Sequence, residues 1–542
     1  MLGRRKPQQS LFDAIGLPHR VPTDSFYGRM AAVSDVLFSD DDLKDLYSPD
    51  NGRPSLPPSL MSGVLLLQFY DDVSDEEAVE RLQFDLRWKV ALHLPLDYPG
   101  FDPSSLTYFR RRLVEHDRER YAFDRLVAVG RAAGFIPDTV TLLIDATPVK
   151  GAGAVQDTYT LLRKGVRKLL KAAGYHVAGK RQGLSPQVRT LIERYVDHDR
   201  KAKIDWSNPQ ERAAQLKVLV TDADAALELV ASDSDNEDVC SIGWLLTKIL
   251  GDDVVTDEQG DPQIGQGTAP DRVISLTEPE MRHGRKSKAR RFDGFKALVT
   301  TEQSSEMIVD IGDIPATGSE GAHLLPAVER IETQAGVRVK QVIGDGAFGS
   351  GELRAACASY NNGRTIDLVS PMAQPQDAEV AKSAFQLDLG KCTAVCPQGH
   401  KVAGRPGPKE DGQPTSLFTF PRAVCEACAL FGRCVRSKKT GRTVRTGAYE
   451  SYLQAARAQQ QTEAFKQLYR LRPAIERKQA ELVQNGLRGT RYLGQRKREL
   501  QRLWTGAAVN LRRLFVLAQA RDVDLRAALS RQARRPMAAT AV

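Results

Sequence analysis

No apolar run in the chain approaches the roughly 18–20 residues that a membrane-spanning helix needs. The longest, Val64 to Leu67 with its neighbours, is far shorter. A spanning helix is thereby excluded, and a soluble protein is expected. The basic start MLGRRKPQQS leads into no apolar core of the kind that drives export, so a cytoplasmic address is expected. Seven cysteines in 542 residues is an ordinary number, and without a signal peptide disulfides are the poorer explanation for them. Acid is in deficit, 68 Asp and Glu against 77 Lys and Arg, which leaves a net charge of +9. Apolar content is not lacking: 41% hydrophobic residues supply enough surface for sizeable cores and rule out global disorder. At roughly 100–200 residues per domain, several structural units are expected.

The surplus positive charge is unevenly spread. From Lys466 to Arg535 there are 18 basic and 5 acidic residues, a local excess larger than that of the whole chain. A second run, Arg282, Arg285, Lys286, Lys288, Arg290 and Arg291, contains no acid, and a third, Arg163, Lys164, Arg167, Lys168 and Lys171, has helical spacing. One such run is ordinarily a solvated face; three in one chain favour a polyanionic partner.

Five of the seven cysteines fall between Cys392 and Cys434. Cys396-Pro-Gln-Gly-His400 is followed by Cys425-Glu-Ala-Cys428 and then Cys434, the alternation of a knuckle and a CxxC that wraps four thiolates around one Zn2+. Cys396, Cys425, Cys428 and Cys434 are the expected ligands; Cys392 is the expected spare, and His400 competes for the fourth position.

Residues from about 25 to 135 read as largely helical, with Ser74-Asp-Glu-Glu77 marking a helix start. The stretch ending in Leu106-Thr-Tyr-Phe-Arg-Arg-Arg-Leu113 is amphipathic, and Arg110 and Arg111 are candidates to lie against a phosphate backbone. At Val140 to Ile144 the pattern changes to a β-branched strand closed by Asp145, and a like unit, Val339 to Ile343, is closed by Asp345. Further strands are expected at Arg272 to Leu276, Ala297 to Thr301, Met307 to Ile311 and Thr365 to Ser370, with helices at His323 to Gln334 and Gly351 to Ser359. The order implies an α/β fold, a mixed sheet flanked by helices.

A single strand-end aspartate is usually a cap or loop anchor. Two on neighbouring strands can share divalent cations, as phosphoryl transfer by a metal pair requires. A third carboxylate is expected from Glu463, Glu476, Glu481 or Glu499; Glu476 stands out because Tyr469, Arg472 and Glu476 are spaced to share one helical face.

Asp145 in IDATPVKGAGAVQDTYTLL, Asp345 in VIGDGAFGSGELR and Tyr469-x-x-Arg472-x-x-x-Glu476 together resemble the three catalytic blocks of bacterial insertion-sequence DDE transposases. The resemblance extends to the helical N-terminal segment from Gly52 to Arg112, to Ser275-Leu-Thr-Glu-Pro-Glu-Met-Arg282 with Gly294-Phe-Lys296, and to the cysteine-bearing insertion of one subgroup. It implies a ribonuclease-H-like core whose Asp145, Asp345 and Glu476 hold two Mg2+ ions, cut a phosphodiester at the element end and join the freed 3′-OH to target DNA. Double-stranded DNA is the implied partner, with a homodimer as the least assembly that pairs two ends. Arg472 and Tyr469 would contact phosphate or base; Lys150, Lys286, Lys296, Arg488 and Arg491 are further phosphate candidates. Two features depart from the family: Val483 stands where a Lys often follows the Glu, leaving Arg488 or Arg491 to substitute, and Pro473 inside the motif demands a kink or a fresh helix start.

The expected layout is a helical DNA-binding domain at 1–135, a catalytic core at 136–160 and 271–375, a helical insertion at 161–270, a zinc ribbon at 376–445, a helical part of the core carrying Glu476 at 446–520, and a basic flexible tail at 521–542. A transposase relic that binds DNA through a zinc-containing fold without cutting it is the alternative, and a metal-dependent nuclease without strand transfer is a third.

Overall fold

The computed structural model describes residues 2–3, 18–48, 54–198, 203–231, 235–267, 269–286, 289–373, 375–410, 412–437 and 439–533. Lys288, the segments from Gly52 to Arg53 and from Ser232 to Ser234, and the last nine residues lie outside the described residues.

The first part is helical, as expected: α1 (Phe26–Ala31), α2 (Pro58–Asp71), α3 (Asp75–Phe84), α4 (Leu86–Ala91), α5 (Ser104–Glu115) and α6 (Tyr121–Ala132). Local chemistry sets their ends. Pro58 opens α2, where a missing N–H costs nothing, and the Ser74 hydroxyl accepts the Glu77 N–H at 3.1 Å to start α3. Residues Pro58 to Phe69 of α2 are all buried, because the helix is enclosed by its neighbours on every side.

The central sheet contains β1 (Thr139–Lys150), β4 (Arg282–Arg285), β5 (Arg291–Glu302), β6 (Ile308–Pro315), β7 (Arg338–Ile343) and β8 (Asp367–Val369); a separate hairpin, β2 (Val254–Thr256) with β3 (Pro262–Ile264), lies in the preceding segment. The order is β6-β5-β1-β7-β8, antiparallel from β6 to β1 and parallel from β1 to β8, with β4 extending the outer edge of β5. This mixed sheet is consistent with the ribonuclease-H-like core implied by the resemblance. Crossover helices α10 (Leu324–Ala335) and α11 (Gly351–Ala358) precede β7 and β8.

Three expectations are corrected. β1 does not stop at Asp145: it pairs with β5 through Lys150, and Lys150 also exchanges backbone bonds with Arg488 (2.9 Å) and Thr490 (2.8 Å), so the strand is held on both edges. Arg272 to Leu276 is not a strand; it is tied to a loop, with Gln156 N donating to Ile274 O and Leu276 N to Gln156 Oε1. The tail expected to be flexible from 521 onward forms a helix at Leu525–Ala533 whose Leu525, Ala528 and Leu529 are buried, and Arg526 pairs with Asp35.

Between β1 and β4, α7 (Thr158–Ala172), α8 (Pro209–Leu229) and α9 (Glu237–Asp253) enclose a core of their own, including Leu161, Val166, Leu169 and Leu246. The segment from Gln386 to Arg445 forms two three-stranded sheets over a small third core. Beyond it run α12 (Glu450–Gln460), α13 (Glu463–Tyr469), α14 (Pro473–Leu482) and α15 (Gln495–Ala520). Pro473 takes the first position of a new helix, the outcome its missing N–H requires. Among the described residues no helix is long and apolar enough to cross a membrane.

α15 lies between the N-terminal helices and the sheet and caps the exposed edge of β6. Asn510, fully buried, accepts the Ile308 N–H and donates to the Ile308 carbonyl, both at 2.8 Å, and Arg502 Nε donates to the Ile311 carbonyl at 3.0 Å. An open edge strand is thereby satisfied from the side. Asn510→Leu leaves a buried N–H and a buried C=O without partners, so a loss of about 2–4 kcal/mol in urea unfolding is expected; a change within about 0.5 kcal/mol contradicts the capping role.

Candidate metal centre and nucleic-acid face

The parallel register Leu143↔Ile343 between β1 and β7 places Asp145 and Asp345 each two residues beyond the same rung. Asp145 is buried in mid-strand, its Oδ1 accepting the Ala146 N–H. Asp345 caps the short turn of helix at Gly346–Phe348, and its carbonyl accepts from Ser370 Oγ at 2.6 Å. The third carboxylate in this space is Glu320, from the turn between β6 and α10: ligand oxygens of Asp145, Glu320 and Asp345 all lie within 4.8 Å of one another. Among the described residues no other group of three or more acidic, histidine or cysteine side chains converges so closely.

Glu320 is none of the four acids, Glu463, Glu476, Glu481 and Glu499, that the sequence offers as the third carboxylate; its signal is Pro315-Ala-Thr-Gly-Ser-Glu320, which repeats the order of strand, glycine-containing turn, acid and helix seen at Asp345. Lys296, on β5, donates to Glu320 Oε1 at 3.0 Å and to the Gly318 carbonyl at 3.1 Å, fixing both the turn and the acid.

Glu476 lies one arginine away. Arg472 donates to Asp145 Oδ2 at 3.0 Å and to Glu476 Oε1 at 2.5 Å, so it bridges the two carboxylates, and Glu476 itself is exposed on the first turn of α14. Tyr469, Arg472 and Glu476 do not share one helix, since α13 ends at Tyr469 and α14 begins at Pro473; the turn between the two helices brings them together instead. Buried Arg472 Nε has no hydrogen-bond partner among the described residues. Burial raises the Asp145 carboxyl to about 6; Arg472 opposes the rise and Asp345 adds to it. Burial likewise pushes up the Tyr469 phenol, with Asp345 and Asp145 contributing in the same direction.

The remaining basic candidates divide by what already occupies them. Arg110 is 7% exposed, paired with Asp75 through both guanidinium nitrogens and stacked on Tyr492; it clamps α5 to α3 and is not available to a phosphate. Arg111 is exposed and pairs with Glu115. Arg491 is tied to Asp72 and the Val73 carbonyl, and Arg488 donates to the Pro148 carbonyl beside exposed Lys150. The C-terminal surplus of charge is largely answered by acids from elsewhere: Arg498 by Glu278, Glu280 and Asp313, Arg496 by Asp117 and Glu119, Arg526 by Asp35. The expected basic tail is therefore in good part internal pairing. By contrast, Arg285, Lys286 and Arg291 are exposed on the β4–β5 hairpin, and Arg285, Arg291 and Lys296 line a cleft of about 690 Å³ together with His283 and Asp293.

In the cysteine-rich segment, Cys396, His400, Cys425, Cys428 and Cys434 line a cavity of about 30 Å³. Backbone N–H groups of Leu430 and Arg442 donate to the sulfurs of Cys428 and Cys425, each at 3.4 Å. Burial raises the Cys434 thiol, and the nearby Cys425, Cys428 and Cys396 add to that. Cys392 is turned toward Ser416 Oγ, 3.6 Å away.

Two family models match the chain: one described as Transposase DDE domain, over residues 395–515, and one described as Transposase domain (DUF772), over residues 17–112. The first includes Glu476 and the four clustered cysteines; Asp145, Glu320 and Asp345 fall in neither. No curated protein and no solved structure matches.

Because the folded pKa of Asp145 lies above the ordinary carboxylate value of 3.8, its ionised form works against folding above pH about 6, and this penalty fades as pH falls from there toward 4. In a chelator, Asp145→Asn is thus expected to melt above the wild type at neutral pH, by up to about 3 kcal/mol, and the gap to close on acidification through 6. A gap that does not change with pH contradicts the assignment.

Proposed function

We propose, for a chain that belongs to the insertion-sequence DDE transposases, that it binds the ends of its element, cleaves DNA phosphodiesters at a two-metal centre and joins the 3′-OH ends to target DNA. The observation that carries this is the register of β1 and β7, which sets two carboxylates from distant segments side by side, with Arg472 and Glu476 at the start of α14 beside them.

The residues present fit divalent Mg2+. The donors are carboxylate oxygens only, the hard ligands this ion prefers, and they outnumber the cations beside them. Asp145, Asp345 and Glu476 would hold the ions; when bound, such a pair activates the attacking oxygen and stabilises the leaving one during phosphoryl transfer. The chain's own groups do the positioning. Arg472, which now spans two carboxylates, has the bidentate fork to take a phosphate in exchange, and Tyr469 beside it can stack on a base or contact the backbone. Arg285, Lys286 and Arg291, exposed on the hairpin, suit sequence-independent contact with a DNA backbone, and Lys296, which lines a cleft with Arg285 and Arg291, links that surface to Glu320.

Asp145→Asn, Asp345→Asn and Glu476→Gln are each expected to abolish Mg2+-dependent nicking and joining of labelled element-end DNA while leaving end binding within a few fold, because most phosphate contacts lie elsewhere. Wild-type cutting by any one of them removes that residue from the centre, and absence of cleavage by the wild type under all divalent ions favours a DNA-binding relic.

The cysteine-rich segment is proposed to hold one structural Zn2+ through Cys396, Cys425, Cys428 and Cys434. Support comes from the CxxC spacing and the N–H···S bonds to Cys425 and Cys428; the four cysteines line one cavity, but no three of their sulfurs lie within 4.8 Å of one another, so metal binding would draw them together. Gently purified protein should contain about one zinc per chain; Cys428→Ser should lose it and Cys392→Ser keep it. A zinc content near zero refutes the site.

A further inference from the structure

The carboxylates that lie closest together are not the three named by the motif order. Asp145, Asp345 and Glu320 converge within 4.8 Å, whereas the side chain of Glu476 is 56% exposed and separated from Asp145 by the Arg472 guanidinium. We propose that Glu320, together with Asp145 and Asp345, holds the first divalent cation of this centre, and that Glu476 is not needed for that ion. The proposal rests on the metal-dependent transposase reading above and deepens it by separating the carboxylates into an inner set and an outer one.

Three segments far apart in sequence deliver the inner set: mid-β1, the cap after β7 and the turn after β6. Each acid is fixed independently of the others. Asp145 is held within a strand paired on both edges, and Asp345 by its capping bond to the Ala347 N–H. Glu320 is held by Lys296, which rises from the strand next to β1 and binds both the turn and the acid. A glutamate that served only as a partner for Lys296 would have no reason to bring its oxygens into the space between two other carboxylates, where like charges oppose it. One cation relieves that opposition for all three.

Glu476 requires a further event. Arg472 donates to both Asp145 and Glu476, so the Glu476 carboxylate approaches the inner acids only once the guanidinium finds another anion. A DNA phosphate is such an anion. The first ion is therefore bound by the DNA-free protein, and participation of Glu476 follows substrate.

The test is titration of Mn2+ into zinc-loaded, full-length, DNA-free protein, with free Mn2+ read by electron paramagnetic resonance, for the wild type, Glu320→Gln, Glu476→Gln and Asp145→Asn. Glutamine keeps the shape and hydrogen-bonding capacity of Glu320, and Glu320→Ala read in parallel, with circular dichroism of both, guards against a folding defect. The expected result is about a tenfold or greater loss of affinity in both Glu320 variants and less than a twofold change in Glu476→Gln. Affinity within twofold of wild type in Glu320→Gln overturns the proposal, as does loss of the ion in Glu476→Gln. Unchanged binding in Asp145→Asn has a different meaning: the acidic centre itself is then misassigned, and the transposase mechanism built on it falls too.

Discussion

Carboxylates crowded just beyond the last paired rung of the parallel strands β1 and β7 are the constraint around which the molecule is arranged. Unit charges about 4.8 Å apart repel by on the order of 3 kcal/mol per pair at an effective dielectric near 20. Among the described residues, the ion pairs of Asp145, Glu320 and neighbouring Glu476 are with two cations, Arg472 and Lys296. Burial raises the Asp145 carboxyl to about 6; Arg472 opposes the rise, and Asp345 and Glu320 add to it. A cluster of this kind persists only where the surrounding fold over-determines it, and such strain is characteristic of sites that take up charge from a ligand.

That over-determination comes from both ends of the chain. β1 carries Asp145, the most buried acid of the group, and is paired with β5, with β7 and, at its end, with residues 488–490, so that acid sits on a strand tied along both edges. The pairing with 488–490 also anchors the stretch after α14, which keeps Arg472 and Glu476 against the sheet although more than 320 residues separate them from Asp145. α15 then closes the sheet edge with Asn510 and Arg502 and buries Arg498 among Glu278, Glu280 and Asp313. An arginine-rich helix is accommodated because acids in the 278–313 segment neutralise it; breaking one partner of such a buried network leaves an unpaired charge and costs far more than a surface pair would.

Much of this organisation is legible in the sequence where local rules decide the outcome. The Ser74 cap, the start at Pro473 and the strands ending near Asp345 follow from capping, the missing proline N–H and β-branched runs, none of which needs a distant partner. Errors gather where partners are distant. β1 outruns Asp145 because its last rungs pair with β5 and with 488–490, a contact that no periodicity reveals. Arg110 looks like a surface cation in a run of three, yet its guanidinium meets Asp75 across a helix boundary and Tyr492 from the far end of the chain. Part of the C-terminal basic surplus, Arg496, Arg498 and Arg526 among it, is paired with acids from distant segments, and Glu320 lies outside the motif blocks that mark the other acids.

The most direct measurement is X-ray diffraction from crystals of the zinc-loaded protein soaked in Mn2+, with data collected at the manganese absorption edge. An anomalous peak enclosed by the carboxylates of Asp145, Glu320 and Asp345 is the expected result, in crystals free of DNA. No peak among these three acids, with manganese bound elsewhere or not at all, contradicts the claim that the register of β1 and β7 builds a metal centre.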